Sequence, residues 1–435
     1  MSKQLLILLC FITFNSHAQS RTTIVTDDID YFWQAYDKVT STKDSLQQYN
    51  YINNLFINKG TPGLKAMTEA RGYTAQSYIH AINEYPEFWQ SVRKNTYKAK
   101  GLGKNIAKGI GRLKKLYPDL KPAKVYFTIG AMRSGGTVYN GQVLIGTEIA
   151  LTDSNTVSRE FPAEFAAARR TYFDSNPIND VVILNIHEYV HTQQKPLVHN
   201  LLSSVLYEGV AEFVSAIAMG QQSPTPSVHF GKKNPDVKAK FEQEMFNFRM
   251  TDKWLWSDVA NEFNTRDLGY YIGYAICEKY YNNAANKALA IKKMIELDYT
   301  NEAEIEDFVN STKFFSASIS ELYQKYENAR PVVTKVTGID NNSTAVVPGV
   351  KQITVTFSKP MDKNHRNFEY GPLGEDNVLM IQKVIGFSDD DKSITFEVQL
   401  LPGKHYQLTV SNGFRDVSGF LLKPYLIDIT TSAKY

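Results

Sequence analysis

The chain has 435 residues, with 48 basic against 45 acidic side chains and a formal net charge of +3. A balance this even offers no field for holding nucleic acid, so no such partner is expected, and the length allows two or three domains with cores of their own. The cysteines are Cys10 and Cys277; with Cys10 in a removable leader no internal disulfide can form, and the fold must rest on packing.

The N-terminus predicts that leader. Lys3 precedes an apolar run from Leu5 to Phe14, and Ser16-His17-Ala18 supplies a small-x-small cleavage site, so residues 1–18 read as a secretory signal peptide. Leu9, not a small residue, precedes Cys10, which argues against a lipid anchor there. No later stretch reads as a membrane span. The mature chain is expected to be exported, to the periplasm or the exterior of a bacterium.

Residues 27–117 carry helical periodicity. Asp27-Asp28 offer an N-cap before Ile29, Phe32, Trp33 and Tyr36, Gly60-Thr61-Pro62-Gly63 breaks a helix, and Trp89 with Val92 marks a further amphipathic segment. Lys100, Lys104, Lys108 and Arg112 form a basic ladder opposite Leu102, Ile106, Ile110 and Leu113, the pattern of a solvated helix face. The nearby glycines lack the Gly-Lys-Ser/Thr ending of a phosphate loop, which excludes nucleotide binding. The period then changes. Residues 124–129, 136–139 and 142–146 are strand-like, and Asn140-Gly141 between the last two predicts a tight hairpin.

The chemistry is concentrated in residues 183–214. His187-Glu188-Tyr189-Val190-His191 places two imidazoles four residues apart, hence on one helix face, as two ligands of one metal ion must be. Glu188 stands beside the first imidazole, within reach of a metal-bound water. Lys195-Pro196 stops that helix. A second helix is expected over residues 203–219, capped by Ser203 or Ser204 and ended by Gly220. Glu208 and Glu212 share one of its faces and would repel one another unless one met a metal and the other a ligand histidine. Gly209 leaves room for close approach of the first helix. Residues 221–233, rich in Ser, Pro, Gly and Lys, read as a loop, and residues 234–329 return to helix with a Tyr270-Tyr271-Ile272-Gly273-Tyr274 segment. After Arg330-Pro331 short alternating segments at 351–357, 393–398 and 406–410 predict a β-sandwich.

His-Glu-x-x-His followed by a helix with Glu208-Gly209-Val210-Ala211-Glu212 resembles the gluzincin zinc metallopeptidases, the thermolysin-like and aminopeptidase-N-like clan. Sixteen residues separate His191 from Glu208, slightly fewer than in the aminopeptidase pattern, and Gln194 and Leu197 occupy positions where metzincins need Gly and His. The resemblance implies a zinc ion on His187, His191 and Glu208, with Glu188 as general base. It implies that Glu212 accepts a hydrogen bond from a ligand histidine, His187, and that Tyr270 donates to the oxyanion. Tyr271, Tyr274 and His229 are weaker claimants to that last role, and Gly146 to Leu151 would be a peptide-binding edge strand. Phe357-Ser358-Lys359-Pro360-Met361-Asp362, Leu401-Pro402-Gly403-Lys404-His405-Tyr406 and Asp416-Val417-Ser418-Gly419 resemble the bacterial Ig-like module, with Phe420 where Asn is usual and with His365 and His405 on its surface.

The expected architecture is therefore α+β: a mostly helical zincin-type metallopeptidase domain (19–330) with a small sheet before the zinc helix, then an all-β Ig-like sandwich (331–435). The implied function is a secreted zinc metallopeptidase acting on peptides or proteins. The alternative is an inactive zinc-binding scaffold whose Ig-like domain binds or adheres at a cell surface.

Overall fold

The computed structural model describes residues 23–196, 200–256 and 261–434. The expected leader (1–18) and Leu197 lie outside the described residues. The N-terminal part is helical. Asp27–Val39, Ser45–Ile52, Pro62–Arg71, Ala75–Glu84 and Pro86–Thr96 pack around Phe32, Trp33, Phe56 and Trp89, all of them buried, while Gly103–Leu116 packs on the Val181–His191 and Leu201–Met219 helices. The first helix has Thr26, not the Asp pair, at its N-cap position, and the Thr26 side chain makes no capping bond. Its acidic residues occupy the first turn instead, where the helix dipole favours negative charge. Asp28 turns inward and accepts from the Thr61 N–H (2.8 Å) and hydroxyl (2.6 Å), tying the first helix to the break before Pro62.

Four short strands follow the order β1-β2-β4-β3: β1 Ile24–Val25, β2 Val125–Thr128, β3 Gly136–Tyr139 and β4 Gln142–Gly146. β1, β2 and β4 run parallel, and β3 is antiparallel to β4. The hairpin between β3 and β4 needs positive φ at both loop positions, which Asn140 (49°) and Gly141 (69°) supply. The edge strand next to the histidine helix is β3. Gly146 to Leu151 is not an edge strand: β4 lies between β2 and β3, and Thr147–Ala150 is a buried helical turn. Glu148 on that turn accepts from the Gly130 (2.9 Å) and Met132 (3.1 Å) backbone N–H groups. Strand order is a non-local property, and local pattern did not carry it.

Three helices make the centre: Val181–His191, Leu201–Met219 and Leu268–Asn283. The second is capped by Asn200, whose side chain accepts from Ser203 N (2.7 Å), while Ser203 and Ser204 are buried within it. Gly220 ends it at φ +67°. This helix is long and apolar enough to cross a membrane, contrary to the expectation that no such stretch exists, but 89% of its apolar window is buried in protein. Gly209 does make room for a neighbour, though a different one. A Cβ there would lie 2.1 Å from the Gly273 carbonyl carbon, and one on Gly273 would lie 1.8 Å from the Val205 oxygen, so the Leu201–Met219 and Leu268–Asn283 backbones cross in contact. Part of the expected loop is the helix Pro226–Lys233, seated where Gly231 lies against the Tyr271 ring.

The last helix ends at Ala329, and two antiparallel sheets follow. One has the order β5-β6-β9-β8, formed by β5 Val333–Thr337, β6 Gly349–Phe357, β8 Ile381–Phe387 and β9 Ser393–Leu400. The other joins β7 Phe368–Glu369, β10 His405–Val410 and β11 Tyr425–Thr430. Alternate residues of β6 and β9 (Ile353, Val355, Ile394, Phe396) share one core with Leu408 and Ile427. The α+β class with a C-terminal all-antiparallel sandwich is thus as expected, whereas the zincin-type label belongs to the resemblance corrected below. The two parts meet at a polar seam. Arg330 donates to the carbonyls of Leu421 (3.0 Å) and Leu422 (2.8 Å), Lys423 pairs with Glu327, and Phe420 packs on Tyr326 at 5.6 Å.

Two outcomes follow. Gly273→Ala should cost at least about 2 kcal/mol in urea unfolding, because backbone cannot yield to the added methyl; a change under about 0.5 kcal/mol would contradict the crossing. Burial pushes the Glu148 carboxyl from its ordinary 4.5 up to about 7, against the opposing backbone donors. The folded chain then keeps a proton that the unfolded chain releases. The Glu148 contribution should be full below pH 4.5 and be lost, about 3 kcal/mol in all, as pH rises through about 7, a slope that Glu148→Gln should remove.

Candidate metal centre

The periodicity that put His187 and His191 on one helix face also points them at Glu208 on the next helix. His187 Nε2, His191 Nε2 and Glu208 Oε2 are mutually 3.1, 3.2 and 3.3 Å apart, and all three residues are buried. The outer nitrogens decide what faces inward. His187 Nδ1 lies 3.1 Å from Glu212 Oε2 and His191 Nδ1 lies 2.6 Å from Gln194 Oε1. Both partners are acceptors, so both Nδ1 atoms carry hydrogen, and the neutral rings turn bare Nε2 lone pairs toward the carboxylate. Three acceptors facing each other require a positive charge among them. One answer is a proton: burial lowers the His187 pKa, but hydrogen bonds to Glu208 and Glu212 outweigh that and push it up to about 10. The other is a metal ion. Donors about 2.0 Å from a tetrahedral zinc lie about 3.3 Å from each other, so this donor set fits one.

The surroundings hold these groups in place. Glu212 accepts from the Ser223 and Thr225 hydroxyls, the latter at 2.8 Å, and from His187. Despite its burial, these bonds keep its carboxyl below the usual range, as the histidines do for Glu208. Gln194 is itself fixed by donating to the Tyr207 carbonyl and the Tyr299 hydroxyl, each at 3.0 Å. The Tyr207 ring stacks on His191 at 4.5 Å and the Tyr270 ring on His187 at 6.0 Å. The Trp256 indole N–H donates to Glu208 Oε1 at 3.1 Å. Gln194 was legible as a partner, one helical turn beyond His191. Ser223, Thr225 and Trp256 lie in irregular segments that gave no signal.

The remaining candidates separate. Glu188 is buried beside β3, where a Cβ on Gly136 would lie 2.5 Å from its Oε1, and burial raises its pKa. Tyr270 is at the centre, its hydroxyl pKa pushed up by burial and by Glu208. Tyr271 packs on Gly231, Tyr274 packs on Phe213, and His229 is exposed. His365 and His405 pair with Asp362 (2.8 Å) and Asp428 (2.6 Å) in the sandwich.

Residues 16–302 match the family model described as gliding motility protein GldB. The chain belongs to that family. Residues 327–431 match a bacterial Ig-like domain. No curated protein matches the chain. Among solved structures it is similar to the N-terminal part of the bacterial S-layer protein SbsC, at 14% identity and TM-score 0.19, covering 93% of this chain and 77% of that one. A longer piece of SbsC matches at 14% identity and TM-score 0.18, covering 93% of this chain and 45% of that one. Scores this low carry no argument.

Membership in the GldB family corrects the gluzincin resemblance. That family is not a peptidase family, and no peptidase family matches, so the metallopeptidase and hydrolase reading is withdrawn together with its peptide substrate. It is a cell-envelope family, and an exported chain is consistent with it. His187, His191 and Glu208 converge and Glu212 meets His187, but no activity follows from those positions.

The two glutamates should differ in a measurable order. Glu208→Ala removes a converging donor and should abolish stoichiometric zinc uptake under micromolar chelator. Glu212→Ala loosens a ring from outside and should weaken uptake about 10–100-fold without abolishing it. Metal analysis after dialysis reads both, and the reverse order would exchange their roles.

Proposed function

We propose that this chain is a non-enzymatic, exported component of the cell-surface apparatus for gliding motility, in which the helical domain is a zinc-holding scaffold and the Ig-like domain meets an envelope or extracellular partner. The observation that carries this reading is the family match over residues 16–302. The second match, to a bacterial Ig-like domain, supplies a module suited to protein contacts.

The zinc assignment rests on donor chemistry. Two imidazoles and one carboxylate suit zinc, whereas magnesium and calcium prefer oxygen throughout. His187, His191 and Glu208 would hold the ion, and Glu212 and Gln194 would set the two rings. An ion held there would take the place of the proton that hydrogen bonds to Glu208 and Glu212 favour on His187. It would also cross-link the C-terminal end of the Val181–His191 helix to the middle of the Leu201–Met219 helix. The fourth position of a tetrahedral ion is left to water or to a donor from a partner.

This reading separates the ligands from Glu188. In the native host, deletion of the gene should impair colony spreading. Re-expression of Glu188→Gln should restore it, because an isosteric amide leaves the scaffold intact, whereas a His187→Ala, His191→Ala double variant should not. A Glu188→Gln chain that folds and holds zinc yet fails to restore spreading would overturn the non-enzymatic reading.

A further inference from the structure

We infer that Trp256 is a positioning residue that keeps Glu208 a one-oxygen ligand and walls the metal centre from solvent. This rests on the reading of His187, His191 and Glu208 as holders of a divalent cation. Oε2 of Glu208 faces both histidine nitrogens, while Oε1 accepts from the Trp256 indole at 3.1 Å. The two oxygens thus have different duties, and a carboxylate with one oxygen so engaged offers the ion the other.

The backbone shows that this placement is imposed. Trp256 has φ +60°, in the left-handed region that bulky residues rarely enter. Its backbone N–H donates to Asp267 Oδ1 at 2.7 Å, and Asp267 itself has φ +59° just before the Leu268–Asn283 helix. The strained Trp256, bonded to Asp267 at the helix N-terminus, is thus fixed beside the helix that also carries Tyr270. Strain that persists beside a chemically engaged group marks a position held for function. Trp256 is 49% exposed, yet its indole N–H reaches the carboxylate of Glu208, a residue only 7% exposed, so the side chain spans from solvent to the centre. Trp33, Trp89 and Trp254 are buried, which leaves Trp256 as the solvent-facing tryptophan of the chain.

Cobalt substitution of the full chain tests this. Four-coordinate cobalt absorbs visible light several times more strongly than five-coordinate cobalt. Wild-type chain should give the strong spectrum, and cobalt should quench the long-wavelength tryptophan emission. Trp256→Phe frees Oε1 to bind as well, so the spectrum should weaken toward the five-coordinate form and zinc affinity, read by chelator competition, should fall about tenfold. Trp256→Asn should show the same change without loss of fold, because Asn tolerates the left-handed backbone, and it serves should the Phe variant not fold. An unchanged cobalt spectrum with affinity within about twofold in either folded variant would overturn the role of Trp256. Failure of the wild-type chain to take up cobalt or zinc would instead overturn the cation reading beneath it.

Discussion

Acceptors pointed at one another in a buried space cannot persist without positive charge between them, and the centre of this protein is built on that constraint. His187, His191 and Glu208 converge, while Glu212, Gln194 and Trp256 pull on their outer atoms and prevent each group from turning away. Helices that would otherwise pack only through apolar faces are thereby committed to one rotation about their axes. The Gly209–Gly273 contact does the same for the third helix, fixing how deeply Leu268–Asn283 seats and so where Tyr270 stacks on His187. Overpacking at that crossing would displace a tyrosine that touches the site as well as costing stability.

What is legible in a sequence is what has a short period. His187 and His191 share a face because a helix repeats every 3.6 residues, and Glu208 with Glu212 for the same reason. The Asn140-Gly141 hairpin is legible because only a few residue types accept its two positive φ angles. The order of strands, the buried turn at Thr147–Ala150 and the Pro226–Lys233 helix depend on what lies across the fold, and local composition misdirects there. Trp256 is the clearest omission, since its indole reaches Glu208 from a segment with no periodicity and 48 residues away in the chain.

The resemblance and the family part company at a definite point. A His-Glu-x-x-His helix facing a glutamate is a way to build a buried three-donor cluster, and any protein that needs such a cluster can arrive at it. Hydrolysis asks for more than the cluster, and a motif that resembles one of the peptidases does not carry their activity into a family of the gliding apparatus. Glu188 occupies the motif's second position and is buried against the backbone of β3, a placement that by itself carries no activity.

The seam between the two parts has a mechanical meaning. Arg330 grips the carbonyls of Leu421 and Leu422, and Phe420 leans on Tyr326, so the sandwich is clamped beside the chain crossing and not merely tethered through it. A tether transmits tension alone, whereas a chain crossing braced by contacts beside it also resists bending. A pull on the far end of the sandwich would therefore arrive at the helical part as torque, borne first by polar contacts that can break and re-form while both hydrophobic cores stay intact.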